Sequence, residues 1–203
     1  MTLESIIQAL GGLFAFTILG VLLLGVWRGM RRQAGRTIGR QGSWLRSPWF
    51  YLVASALFFG LACLGWIPLP WQVAPTTRVW MLVIGSLLYF PGLSLVLWGR
   101  LTLGKNYFVS TGLGAQLFAD QQLVTGGPYA IVRHPMYIGL LLAAWGSLLI
   151  YATWTTVYFA VFAPAVLSRS KREEAALAAE FGEQWQAYCQ RVPAFLPRWR
   201  RSR

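Results

Sequence analysis

The runs at residues 6–27, 48–67, 79–98 and 136–167 carry no charged side chain. Uninterrupted apolar stretches of this length decide what the chain can fold into. A bilayer's hydrocarbon core is about 30 Å thick and takes about 20 apolar residues to cross as a helix. Inside it every backbone polar group must be satisfied within the protein. Only 12% of the residues are charged, against about 25% in a typical soluble domain. A soluble globular class is excluded on both counts, and the length suits one domain.

The first span is expected at about 3–27, the second at 48–67 and the third at 78–98, with Pro91-Gly92 placed to kink it. Between the second and third, "PLPWQVAPTT" (68–77) is a proline-rich turn that cannot continue a helix. The block at 136–167 is long for one span and short for two. Halved, it gives helices of about 15 residues, or about 23 Å at the α-helical rise. A hairpin of two short helices joined near "YATW" (151–154) fits best, and Pro164 weighs against a single long tilted helix. Residues 99–133 are polar and glycine-containing, and read as loop with a short interfacial helix.

Charge orients the spans. The chain has 18 lysines and arginines, 6 acidic residues and a formal charge of +12. Such a balance suits nucleic acid as a partner. Here, however, the basic residues sit between the apolar runs: Arg28, Arg31, Arg32, Arg36, Arg40 and Arg46 in one loop, and Arg198, Arg200, Arg201 and Arg203 in the tail. The positive-inside rule accounts for both clusters without nucleic acid. With five spans and the 28–47 loop in the cytoplasm, only Arg78 falls outside. The N-terminus then faces out and the C-terminus faces in. Glu4 is the only charge before the first run, which reads as a retained membrane helix, not a cleaved signal. The expected fold is an all-α integral membrane protein of about five transmembrane helices, the last two a short hairpin, followed by a C-terminal cytoplasmic helix. Residues 1–98 hold three spans, and 99–203 hold a cytosolic loop, the hairpin and that last helix.

On the C-terminal segment, Leu177, Phe181, Trp185 and Tyr188 recur at helical spacing and form one apolar stripe. Cys63 and Cys189 imply no disulfide framework, and one histidine is too few for an ordinary zinc site, so no metal is expected.

That histidine lies in "GPYAIVRHPMYIG" (127–139). Three polar features converge on the cytoplasmic side of the last two spans: Arg133-His134, Tyr137, and the pair Glu173-Glu174, which the hairpin returns to the same membrane face. Pro135 suits a first helical turn. Arg133 and the helix N-terminus make a positive corner, and the glutamates a negative one. The pattern suits a zwitterion bearing a carboxylate and an amine. Singly, each residue also has a plain structural reading: Arg133 as an interfacial anchor, Tyr137 as an aromatic-belt residue, the glutamates as partners of Lys171 and Arg172.

In combination, Arg133-His134-Pro135-Met136-Tyr137, an apolar hairpin and Glu173-Glu174 resemble the RHPxY…EE signature of the isoprenylcysteine carboxyl methyltransferase family and its bacterial relatives. "LTLGKNYFVS" (101–110) is similar to the polar stretch before it, and the resemblance covers about 96–197. Phospholipid N-methyltransferases share the pattern. The resemblance implies S-adenosylmethionine as methyl donor, with S-adenosylhomocysteine as product, bound by the hairpin and following helix. It implies His134 and Tyr137 against the donor, Arg133 near donor and acceptor carboxylates, and Glu174 with Glu173 on the donor's amino group. Gly127, Pro128 and Tyr129 would shape the pocket wall, with Trp98, Tyr107 and Phe108 as further wall candidates. Arg133, His134 and Glu174 are the expected catalytic residues. The 99–203 region is then the methyltransferase core. A lipophilic acceptor, an isoprenylcysteine-like carboxylate or another membrane-partitioned carboxylate or thiol, would enter from the lipid. Membrane lipid is the other expected partner, and the bacterial inner membrane the expected location. The alternatives are a phospholipid N-methyltransferase, a sterol-reductase-like enzyme using a nicotinamide dinucleotide, and a non-catalytic membrane scaffold.

Overall fold

The computed structural model describes residues 2–30, 34–37, 48–107, 116–118 and 121–197. Most basic residues of the 28–47 loop and of the tail, with Phe108, lie outside the described residues. Six α-helices are described: α1 (Leu3–Met30), α2 (Pro48–Leu64), α3 (Pro75–Leu103), α4 (Pro135–Tyr151), α5 (Trp154–Phe162) and α6 (Val166–Arg191). Short 3-10 turns lie at Gly104–Asn106, Gly127–Ala130 and Ala163–Ala165. The described residues are helical apart from one two-stranded antiparallel ribbon, β1 (Ala34–Thr37) with β2 (Gln116–Phe118), aligning Ala34 with Phe118 and Thr37 with Gln116. Loop was expected at both places. The strands are three and four residues long and 80 positions apart, so no local periodicity announces them.

Leu3–Arg28 and Pro75–Asn106 are long and apolar enough to cross a membrane, and Leu52–Leu64 and Pro135–Tyr151 are shorter apolar helices. Leu13 and Phe16 on α1, Leu57 and Leu61 on α2, and Trp80 and Leu87 on α3 are exposed. In water an apolar surface this extensive invites association. Against lipid it is a solvated face. α3 starts at Pro75, three residues earlier than expected, because proline's fixed φ and missing N–H suit a first turn. It continues through Pro91 to Leu103.

The chain forms two compact units. The first comprises Met1–Gly20, Gly42–Ser94 and Gly139–Ala165. Its core is Tyr89, Ala143 and Ile150. There α3 and α4 approach so closely that a Cβ on Gly146 would lie 2.5 Å from Tyr89 N and 2.7 Å from Gly85 O. Small residues at such crossings are how membrane helices pack without a hydrophobic drive. Tyr89 donates to Gly11 O (3.2 Å) and Tyr151 to Gln8 O (2.9 Å), fixing α1. Arg78 donates to Glu4 Oε1 (2.6 Å) and to the carbonyls of Leu149 (2.8 Å) and Ile150 (2.6 Å) at the end of α4. Residues 136–167 divide into α4 and α5 at Ala152-Thr153, inside the expected "YATW" joint. Thr153 caps α5 in a reciprocal box with Thr156. Trp145 Nε1 donates to Ala160 O (3.1 Å), closing the hairpin.

The second unit comprises Val21–Gln41, Leu95–Ile138 and Val166–Arg203. Its α6 bends at Gly182, whose φ of 47° only glycine adopts freely. The stripe of Leu177, Phe181, Trp185 and Tyr188 runs across the bend and packs into one cluster with Leu123 and Val192. The expected apolar face is thus one face of α6, and this unit carries the whole RHPxY…EE set.

Candidate active site

Backbone hydrogen bonds set the site before any side chain does. Ile131 N and Val132 N donate to Pro128 O (both 3.2 Å), curling the chain from the Gly127–Ala130 turn towards α4. Arg133 N donates to Pro193 O (2.8 Å) and His134 N to Ala194 O (3.1 Å), so the segment after α6 lies alongside residues 133–134. Pro135 is then the first residue of α4, as expected.

The side chains converge on Glu173 and Glu174 of α6. Arg133 gives Nε (3.0 Å) and Nη2 (2.9 Å) to Glu174 Oε1. His134 Nε2 meets the same oxygen at 2.8 Å. All three contacts fall on Oε1, and among the described residues no hydrogen bond reaches Oε2. Arg133 Nη1 donates to Val192 O (2.9 Å) and Cys189 O (3.4 Å). The Arg133 guanidinium also stands 5.8 Å from the Trp185 ring centre. Tyr137 Oη donates to Glu173 Oε2 (2.9 Å). The His134 imidazole, 5% exposed, stacks on Tyr137 (5.4 Å, 6°) and on Phe195 (5.2 Å, 28°).

In sequence, Arg133 and the glutamates stood as two separate poles. In the structure they pair, because a guanidinium shielded from water needs a carboxylate within reach. The cluster thus gathers two carboxylates and the Arg133 guanidinium, and the charge of Arg169 also acts on Tyr137 beside Glu173.

Of the pocket-wall candidates, Gly127 and Trp98 meet at the end of α3. Gly127 has φ 57°, and a Cβ there would lie 2.8 Å from Thr102 Oγ1 and 3.5 Å from Trp98 Nε1, so this turn sits against the end of α3. Pro128 and Tyr129 are buried. Tyr188 Oη donates to Tyr129 O (2.7 Å). Burial, with help from the Glu173 charge, pushes the Tyr129 hydroxyl well above the usual tyrosine range. Burial pushes Tyr188 up to about 12, against the pull of Arg133. The Cys189 thiol is also raised, first by burial and then by Glu174, with Arg133 opposing. Tyr107 lies under the Arg100 guanidinium, 4.4 Å from ring centre to Cζ.

Four participants were not picked out from sequence: Phe195, Trp185 as a partner of Arg133, the carbonyls at Val192–Ala194, and Arg100. "RVPAFLP" (191–197) held a readable signal, since two prolines in seven residues fix an extended segment that can pair with a neighbouring strand-like piece.

A family model described as phospholipid methyltransferase matches residues 80–184, just over half of the chain. Methanethiol S-methyltransferase 2 of Bradyrhizobium diazoefficiens is 31% identical over 163 residues, covering 73% of this chain and 58% of that protein. Protein-S-isoprenylcysteine O-methyltransferase of Schizosaccharomyces pombe is 35% identical over 80 residues, 38% of this chain and 34% of that protein. Delta(14)-sterol reductase of Mus musculus is 37% identical over 76 residues, 36% of this chain and 18% of that protein. The chain therefore spans between about a fifth and three fifths of the length of these relatives.

Proposed function

The chain belongs to the phospholipid methyltransferase family, and from that premise we propose that it is an integral membrane methyltransferase that transfers a methyl group from S-adenosylmethionine to a lipophilic acceptor. One observation carries the reading. Arg133, His134, Tyr137 and both glutamates meet within hydrogen-bond distance in one compact unit. The donor, when bound, supplies an electrophilic methyl on a sulfonium. Its sulfonium and ammonium are cations of the kind the two carboxylates can face. Glu174 Oε2 would accept from the donor's ammonium, and Tyr137 and Phe195, the part-exposed rings that stack on His134, would meet the adenine or the sulfonium. Glu173, held by Tyr137, is the second carboxylate of that binding set. The residues position the reactants. A carboxylate or thiolate needs no strong base, and alignment accounts for most of the work.

The topology belongs to the same proposal. Five spans, with the α4–α5 hairpin as the last two, put the N-terminus outside, the 28–47 loop and C-terminus inside, and the active site at the cytosolic face. Arg78, the one basic residue left outside, is neutralised there by Glu4 at 2.6 Å. The acceptor is proposed as a membrane-partitioned carboxylate or thiol, in keeping with relatives named for isoprenylcysteine and methanethiol. A second reading, N-methylation of a phospholipid amine, is favoured by the family description. It requires a group to take the amine's proton, and His134 beside Glu174 is the candidate.

Calorimetry on the detergent-purified chain tests the reading. Saturable binding of S-adenosylmethionine and S-adenosylhomocysteine, lost in Glu174→Ala, is expected. Absence of binding in lipid nanodiscs as well as in detergent would reject the donor site.

A further inference from the structure

Among the described residues of this unit, Arg100 is the buried charge that the donor site leaves unused. It lies on the last turns of α3 and is 8% exposed. A guanidinium carries five N–H groups in a fixed fork. Here Nη1 donates to Gly104 O (3.0 Å), and the face of the fork lies over the Tyr107 ring. Nε is sealed from solvent and has no hydrogen-bond partner. Among the described residues no carboxylate is within ion-pair distance of Arg100, and the charge of Arg28, of like sign, acts on it. The fold makes room for this cation: a Cβ on Gly25 of α1 would overlap the guanidinium.

Arg100 is also next to the chemistry. Its guanidinium lies over Tyr107 and is within electrostatic reach of the buried Tyr129 hydroxyl, which Glu173 and Tyr137 of the donor site also reach. A Cβ on Gly99 would lie 3.5 Å from that same hydroxyl. A buried cation with an unpaired N–H and, among the described residues, no carboxylate partner is costly unless something supplies an anion. A planar fork matches a carboxylate and also serves a thiolate.

We propose that Arg100 is the anion site that holds the charged head of the methyl acceptor, a carboxylate or thiolate on an apolar body, beside the donor site. The inference rests on the methyltransferase reading. A lone pair of the bound anion attacks the sulfonium methyl carbon. The carbon–sulfur bond of the donor breaks, and its electron pair stays on sulfur as a neutral thioether. Anion and sulfonium become ester, or sulfide, and thioether, with no proton released. The product has lost the charge that Arg100 holds, so methylation itself weakens product binding. Arg100 would thereby select anionic acceptors and release neutral products.

The test uses the full chain in detergent micelles. N-acetyl-S-farnesylcysteine and its methyl ester are titrated by calorimetry into wild type, Arg100→Met and Arg100→Lys, with S-adenosylhomocysteine titrated alongside. A second pair, dodecane-1-thiol and dodecyl methyl sulfide, is run at pH 8 and pH 10. The acid is expected to bind wild type at least about tenfold tighter than the ester, a difference the affinity scale resolves easily. Arg100→Met should lose that preference and Arg100→Lys keep part of it, with S-adenosylhomocysteine affinity unchanged. A preference confined to the first pair assigns a carboxylate head. A preference in the second pair that grows with pH and disappears in Arg100→Met assigns a thiolate. Equal binding of charged and methylated forms by wild type overturns the proposal without any variant, as does a preference that survives in Arg100→Met. Loss of preference in Arg100→Met with no S-adenosylhomocysteine binding by wild type keeps the anion site and removes the donor reading. The reverse result removes the anion site alone.

Discussion

Arg133 and Glu174, 41 residues apart, share a single oxygen: Arg133 Nε and Nη2 reach Glu174 Oε1 at 3.0 and 2.9 Å, and His134 Nε2 reaches it at 2.8 Å. The two side chains are 14% and 27% exposed, so water screens the pair only in part. Under the proposed function Glu174 would have two separable tasks, bracing the start of α4 through Oε1 and offering Oε2 to a ligand. Glu174→Gln keeps a carbonyl oxygen for the brace and removes the charge. It should unfold within a few degrees of wild type yet lose at least about tenfold in S-adenosylhomocysteine affinity, from the ~1.5–3 kcal/mol that a hydrogen bond to a charged group contributes. Glu174→Ala should lose both, with about 1–3 kcal/mol of stability, less than a fully buried pair would cost because the carboxylate is part-exposed. Thermal unfolding paired with calorimetry reads the two tasks separately. Normal ligand affinity in Glu174→Gln would remove the carboxylate from the donor site.

Cys189 reports on the same pair. Burial raises its thiol above the ordinary value of 9.0, Glu174 raises it further and Arg133 lowers it. The thiolate is the reactive form. In a Cys63→Ser background, iodoacetamide alkylation should therefore rise with a midpoint above pH 9. Removing the cation with Arg133→Met should move the midpoint up, and removing the anion with Glu174→Gln should move it down. Shifts in the same direction from both variants would mean that rearrangement, not charge, sets the thiol.

These pairings separate what sequence could reveal from what it could not. The span at 3–27, the joint at 151–154 and the stripe Leu177–Phe181–Trp185–Tyr188 were legible because each rests on local periodicity or on a capping residue, and they match α1, the α4–α5 turn and the α6 face. That Arg133, His134, Tyr137 and the glutamates would lie together was legible as well, from the motif and the hairpin between its halves. Who pairs with whom was not. Glu4 gave no sign that it would meet Arg78, nor Pro193 and Ala194 that their carbonyls would take the amides of Arg133 and His134. Those contacts span from about 60 to 74 positions and are fixed by helix packing, which leaves no periodic trace. Arg100 was hidden differently: among so many arginines, burial alone distinguishes it.

The Arg78–Glu4 pair is expected to brace α1, α3 and α4 together. Arg78 serves Glu4 and two terminal carbonyls of α4, Leu149 and Ile150, whereas Glu4 accepts only from Arg78 and Gln8 among the described residues. Arg78→Met should therefore cost more than Glu4→Gln, since it also strips a cation from the negative end of a helix. A double-mutant cycle by thermal unfolding should give a coupling of about 0.5–3 kcal/mol. Equal single-variant losses with no coupling would make the pair an incidental surface contact.

The α3–α4 crossing gives a prediction with its own internal control. A Cβ on Gly146 would meet Tyr89 N at 2.5 Å and Gly85 O at 2.7 Å, both backbone atoms that cannot swing aside. Gly146→Ala must then push two helices apart, at about 1–3 kcal/mol or above for overpacking. Gly20 and Gly60 also lie within helices, but a Cβ on either meets nothing within 4 Å. There the only effect is the helix preference of alanine, a gain of up to about 1 kcal/mol. Gly20→Ala and Gly60→Ala should thus raise the unfolding temperature slightly or leave it unchanged, while Gly146→Ala lowers it by several degrees. Because Gly146 packs against Tyr89, whose hydroxyl holds Gly11 of α1, the loss should extend to α1. Faster hydrogen exchange at the amides around Gly11 in Gly146→Ala is the signature expected. A Gly146→Ala protein as stable as Gly60→Ala would mean that α3 and α4 do not touch at this point.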